Sequence, residues 1–187
     1  MAHRCPCGLP DVVETAPRLA DGTPFPTLYY LTCPRATAAV ARLEAAGIMR
    51  QMQERLATDP ELRTAYQAAH RDYLARRDEV ARASGVEPLP PGTQSAGGMP
   101  GRVKCLHALA AHELAVPGAN PLGREAVAQA GPWWQAGPCV RPAPSVAGEA
   151  RVSGEASVSG NAHVSGEGSV SGEGRVSGDA RVSGCAG

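Results

Sequence analysis

The spacing of apolar and polar residues changes period along this chain. Over 11–19 and 27–32 the β-prone residues Val12, Val13, Tyr29 and Tyr30 flank Ala20-Asp21-Gly22-Thr23-Pro24, a strong turn signal, and together they predict a hairpin. Pro17, Pro24 and Pro26 hold much of that hairpin at an edge. From Pro34 the period lengthens to that of a helix. Val40, Leu43 and the alanines make one stripe that ends at Gly47, and Ile48, Met49, Met52 and Leu56 make a second. Thr58-Asp59-Pro60-Glu61 reads as a helix start with cap, first-turn proline and first-turn acid. The helix it opens runs to about Ser84, with Leu62, Ala65, Tyr66, Ala69, Tyr73 and Val80 on one side, and Gly85 stops it. Residues 85–98 read as a flexible loop in which Gly97-Gly98 is a hinge. A further helix is expected from near Pro100 to Pro117, carrying Val103, Leu106, Ala110 and Leu114, and a short one from Asn120-Pro121 to Gly131.

Composition narrows the class more than the function. The chain has 187 residues and a formal charge of zero, so no basic excess points to nucleic acid. No apolar run reaches the ~18 residues of a membrane span, so no membrane partner is expected. The opening residues lack the apolar stretch of a secretory signal, and the expectation is a cytoplasmic protein. Lys104 is the only lysine among the basic residues, a bias we attribute to a GC-rich genome. In a reducing cytoplasm the six cysteines point to metal or chemistry rather than disulfides.

Four motifs occur in a distinctive order: Cys5-Pro6-Cys7-Gly8-Leu9-Pro10, Asp21-Gly22-Thr23-Pro24-Phe25-Pro26-Thr27, Tyr29-Tyr30-Leu31-Thr32-Cys33-Pro34 and Gly97-Gly98-Met99-Pro100-Gly101-Arg102-Val103-Lys104-Cys105-Leu106-His107. With Asn120-Pro121-Leu122-Gly123, they make residues 3–128 resemble a mainly actinobacterial family catalogued as domain of unknown function 501. That resemblance implies a cytoplasmic protein without an assigned activity. It also implies a gene often placed near a septum-formation protein and an exopolyphosphatase-like enzyme, which loosely associates the protein with cell division or polyphosphate physiology. Family members carry a few dozen residues ahead of the Cys-Pro motif. Here Met1 stands four residues from it, so a misplaced start or a missing N-terminal element is expected.

The cysteines and histidines carry the candidate chemistry. Thiolates and imidazoles favour zinc, and the metal-ligand set read from the sequence is Cys5, Cys7, Cys33, Cys105 and His107. Cys5 and Cys7 form a knuckle-like turn, while Cys33 precedes a helix start. Cys105 and His107 lie about 200° apart on a helical wheel and share an ion only if that first turn is irregular. Cys139 and Cys185 read as incidental. An alternative is nucleophilic catalysis by Cys33 with His107 or His112 as base, and Arg102 and Lys104 at a helix start suit an anion. Trp133-Trp134 reads as a segment that folds back on its own domain or docks an unidentified protein partner.

From Ser145 the chain consists of seven hexads, each with valine at its second position and a small residue at its sixth. The low-complexity pattern resembles the hexapeptide repeats of left-handed parallel β-helices, in which three hexads complete a coil. Burial of seven valines falls short of the backbone entropy that ordering such a tail removes, so the tail is expected to be disordered or to form a short coil by stacking on another surface. The fold class is therefore α+β and mostly helical. A short N-terminal β-hairpin packs on four or five helices over 1–130, followed by a Pro/Gly-rich linker over 131–144 and the repeat tail over 145–187. For function, a non-catalytic binding or regulatory protein stabilised by zinc is the first expectation. A small cysteine/histidine-dependent enzyme acting on a phosphorylated or acyl substrate is the alternative.

Overall fold

The computed structural model describes residues 1–135, 137, 139 and 140, and in the C-terminal region the strand residues 145–146, 151–152, 157–158, 163–165, 169–170, 175–176 and 181–183. It divides between Cys139 and Val140 into two units.

The first unit begins with a three-stranded antiparallel sheet, β1 (His3–Arg4), β2 (Pro10–Glu14) and β3 (Tyr29–Leu31), in that order. The expected hairpin is present, with Val12 opposite Leu31 and Val13 opposite Tyr30. Its arms extend to a bridge between Arg18 and Pro24, and the Asp21 carboxylate closes the turn by accepting from the Thr23 N–H at 2.9 Å. The added strand β1 pairs His3 with Val12 and then shifts register, because the Cys5–Gly8 turn uses up residues between the two strands. Pro10 is tolerated at the start of β2, where it is exposed.

Five helices follow: α1 (Pro34–Ala45), α2 (Ile48–Thr58), α3 (Pro60–Ala83), α4 (Leu106–Ala115) and α5 (Pro121–Ala130). The starts of α1, α3 and α5 obey one local rule. Proline occupies the first turn, where its missing N–H costs nothing, and an extended residue precedes it. Asp59 caps α3 by accepting from the N–H groups of Glu61 and Leu62, and Asn120 caps α5 by accepting from Gly123.

The core runs between the sheet and the helices. Val12, Leu28, Val40, Met52, Tyr66, Tyr73, Leu106, Leu109 and Leu122 are completely or almost completely buried. On α3 the aromatic stripe packs as its period implies, but Arg77 takes the position that follows Tyr73 on the buried face. Its guanidinium donates to the carbonyls of Pro26, Thr93 and Gln94, tying the loop after α3 and the sheet to the helix. Tyr73 accepts the Leu28 N–H at 2.6 Å, and Tyr66 donates to the Arg102 carbonyl at 3.0 Å.

The structure departs from the sequence reading between 97 and 106. The fourth helix starts at Leu106 rather than near Pro100, because Gly98 to Lys104 closes on itself through Arg102 N–H to Gly98 O and Lys104 N–H to Gly97 O. Gly97-Gly98 is no hinge. Both glycines have positive φ, and a Cβ on Gly98 would stand 2.6 Å from the Arg102 carbonyl oxygen. The segment after α5 also differs from a linker. Trp133 and Cys139 are buried against the first unit.

In the second unit the strands β4 (Ser145–Val146), β5 (Arg151–Val152), β6 (Ser157–Val158), β7 (His163–Ser165), β8 (Ser169–Val170), β9 (Arg175–Val176) and β10 (Arg181–Ser183) pair in parallel. β4, β7 and β10 align Val146, Val164 and Val182, while β5 pairs with β8 and β6 with β9. Each partner lies three hexads away. Cys185 and the hexad corners lie outside the described residues.

Candidate metal centre

Four cysteines from three distant parts of the chain meet at one end of the first unit. Cys5 and Cys7 arrive on the turn between β1 and β2, which closes through Gly8 N–H to Cys5 O and Cys5 N–H to Leu9 O. The Arg4 guanidinium donates to the Gly8 carbonyl and braces the same turn. Cys33 is the residue before α1. Its thiol makes no helix cap and packs with Cys5, Trp133 and Cys139. Cys139 comes from the segment beyond α5.

The sulfur atoms of Cys5, Cys7 and Cys139 all lie within 4.8 Å of one another, and those of Cys5 and Cys139 are 3.7 Å apart. That spacing is far longer than a disulfide. It matches the edge of a tetrahedron of sulfurs around zinc, about 3.8 Å for bonds of about 2.3 Å. Cys33 packs beside Cys5 and Cys139 from the α1 side. Cys5, Cys7 and Cys139 together can hold a metal ion.

Its electrostatics are those of thiols waiting for a cation. Burial pushes the Cys5 thiol up, while the Cys7 N–H pulls it back. The Cys139 thiol is also pushed up, first by burial and then by the thiols of Cys7, Cys33 and Cys5 around it. Cys7, at the rim, is held below the ordinary thiol value chiefly by the Leu9 N–H. Successive backbone N–H groups aimed at sulfur favour thiolates. The indole N–H of Trp133 is buried without a hydrogen-bond partner among the described residues, and it is near enough to Cys5 to favour its thiolate.

Of the residues read as metal ligands, Cys5, Cys7 and Cys33 come together. Cys105 and His107 do not join them. They meet Glu44 instead, with the His107 Nδ1 4.0 Å from the Cys105 sulfur and 3.2 Å from Glu44 Oε1. The irregular first turn that would let Cys105 and His107 share an ion is present, since Cys105 precedes the helix with φ −154° and ψ 110°. Cys139, set aside in the sequence reading, completes the thiol cluster. Its only sequence signals are Gly137-Pro138-Cys139, which echoes Cys5-Pro6-Cys7-Gly8, and the aromatic pair ahead of it. Glu44 has no signal at all, being one acid on an ordinary helix.

The pairing of Cys33 with a histidine base is not built. Cys33 faces the other cysteines, and His107 donates from Nε2 to the Thr37 carbonyl. His112 is completely buried. Its Nε2 donates to Asp72, its Nδ1 accepts from the Asn120 amide, and its ring stacks on Tyr29 and meets Tyr73 edge-on. Burial holds it below the ordinary histidine value despite Asp72. It is a packed core histidine. Arg102 and Lys104 are exposed in the loop before α4 rather than on the helix, and both line an open cleft with His70.

Among the described residues, no helix is long and apolar enough to cross a membrane. No curated protein and no solved structure matches the chain. The family model described as protein of unknown function (DUF501) matches residues 1–128, from the cysteine knuckle through most of α5, and the chain belongs to that family.

Proposed function

We propose that this protein is a non-catalytic cytoplasmic binding or regulatory protein whose first unit is held closed by zinc bound to Cys5, Cys7, Cys33 and Cys139. The observation that carries the reading is the convergence of the Cys5, Cys7 and Cys139 thiols within 4.8 Å of one another, with Cys33 packed beside them. Four sulfur ligands leave no position for substrate, which suits a structural rather than a catalytic ion. Zinc also answers the electrostatic problem of the cluster. Adjacent buried thiols resist ionisation, whereas a bound dication favours the thiolate form of all four. The ion would join the β1–β2 turn, the start of α1 and the segment beyond α5.

The ligand or partner that such a scaffold serves is proposed only by class. The family resemblance supports an association with division or polyphosphate physiology, and no described site supports catalysis through Cys33. Metal analysis of the purified full-length chain tests the zinc reading. Cys5→Ser and Cys139→Ser are each expected to lose one zinc and to melt well below the parent protein. Fully folded parent protein without zinc, or a Cys139→Ser variant that keeps its full metal content and melting temperature, would sink the proposal.

A further inference from the structure

A second group of ligand atoms lies away from the four cysteines, at the start of α4. Cys105 Sγ, His107 Nδ1 and a Glu44 carboxylate oxygen all lie within 4.8 Å of one another. The hydrogen bonds around them define which lone pairs face inward. The Thr37 carbonyl can only accept, so the imidazole carries a hydrogen on Nε2, 3.1 Å away. Nδ1 faces Glu44 Oε1 at 3.2 Å and the Cys105 sulfur at 4.0 Å, and with the hydrogen on Nε2 it is the nitrogen that could ligate a metal. Glu44 Oε1 is itself oriented by the Leu106 N–H at 2.7 Å.

A thiol, an imidazole nitrogen and a carboxylate oxygen thus converge on one point. One divalent metal ion can join all three. An imidazole whose far nitrogen donates to a backbone carbonyl is oriented as metal-bound histidines are. A single thiolate, imidazole and carboxylate form a mixed set suited to zinc.

The group is partly exposed rather than closed. Cys105 and His107 line a cleft of about 430 Å³ that also includes Tyr29, Tyr30, Gly98 and Lys104. Cys105 and His107 therefore face the cleft while Glu44 stands outside its lining. Three protein ligands with an open fourth position distinguish an ion that meets a ligand from one that only holds a fold.

We propose that Glu44, Cys105 and His107 form a second, open zinc site whose fourth position takes a small anion, with Lys104 as the countercharge in the cleft. The geometry is independent of the four-cysteine centre, since the two share no residue. The site also makes use of the placement of Cys105 outside the helix. From an extended position its sulfur reaches the same side as His107, two residues on.

Zinc and cobalt loading of the purified full-length chain tests the proposal separately from the first site. The parent protein is expected to bind two zinc ions per chain, and Cys105→Ser and Glu44→Gln each to bind one. Both variants preserve the fold: serine is a favoured helix cap at position 105, and glutamine at 44 still accepts the Leu106 N–H. In Cys105→Ser the cobalt spectrum should retain the intense sulfur charge-transfer bands of the four-thiolate site. Addition of inorganic phosphate should shift the ligand-field bands of the parent and leave those of Cys105→Ser unchanged, with a weaker shift in Lys104→Met. A zinc count unaffected by Cys105→Ser and Glu44→Gln overturns the second site and leaves the first standing. One zinc lost with Cys105→Ser but kept in Cys139→Ser does the reverse. A parent cobalt spectrum indifferent to phosphate removes the anion assignment.

Discussion

Gly123 shows how much one residue can decide. It sits in the first turn of α5, where sequence alone shows only a poor helix former. A Cβ there would lie 2.1 Å from the Leu109 carbonyl oxygen and 3.0 Å from the Glu113 Cβ, so α5 approaches the α4 backbone through the missing side chain. Gly123→Ala is therefore expected to destabilise by about 3 kcal/mol, despite the better helix propensity of alanine. A urea midpoint unchanged by the substitution would refute that close packing. His112 makes the second residue-scale prediction. Its imidazole is held below the ordinary value of 6.5 by burial, so the unfolded chain takes up the proton first as pH falls. Stability is then complete above about pH 6.5 and declines toward the lower folded value, by at most about 1.4 kcal/mol per pH unit. His70, held low by burial and by Arg77 and Arg71, adds in the same direction. Urea midpoints measured from pH 7.5 to 5.5 should fall in the parent protein and fall less in His112→Gln, which starts from lower stability. Equal slopes in both would refute the assignment.

At the scale of elements, legibility followed locality. The bounds of α1, α2, α3 and α5 are set by prolines, caps and glycines inside each segment, and all four match the spacing read from the chain. The start of α4 is set from outside. Gln53 accepts the Val103 N–H, Tyr66 donates to Arg102 O, and Glu44 accepts from Leu106, so three helices together hold residues 102–105 out of the helix. No pattern within 97–106 carries that information. The same holds for Arg77, whose burial depends on the carbonyls of Pro26, Thr93 and Gln94 being brought to it from other parts of the chain.

For the whole molecule, the boundary between the two units falls after Cys139 rather than near residue 130. Trp133 is mostly buried against the cysteine cluster, and its ring meets Trp134 edge-on. A chain truncated after residue 144 should consequently melt above one truncated after residue 130, because the shorter chain loses both the tryptophan cover and the fourth thiol. Scanning calorimetry in the presence of zinc reads the difference, and equal melting temperatures would refute the placement of that segment. In the second unit the paired strands repeat at three hexads, the interval at which the valines recur on one face.

The sequence by itself determined the helical segments, the hairpin and the hexad period, because each depends on dihedral preference and apolar spacing within a few residues of itself. It also named most of the chemistry-bearing residues, since thiols and imidazoles are few. Only the tertiary structure decided how they are grouped. Cys5 and Cys139 are separated by nearly the whole first unit, and Glu44 meets His107 across two helices; ligand sets of that kind are properties of packing. The five sequence-read ligands thus became two groups, one joined by Cys139, whose signal in the chain is faint, and one by Glu44, whose surroundings give no sign of it.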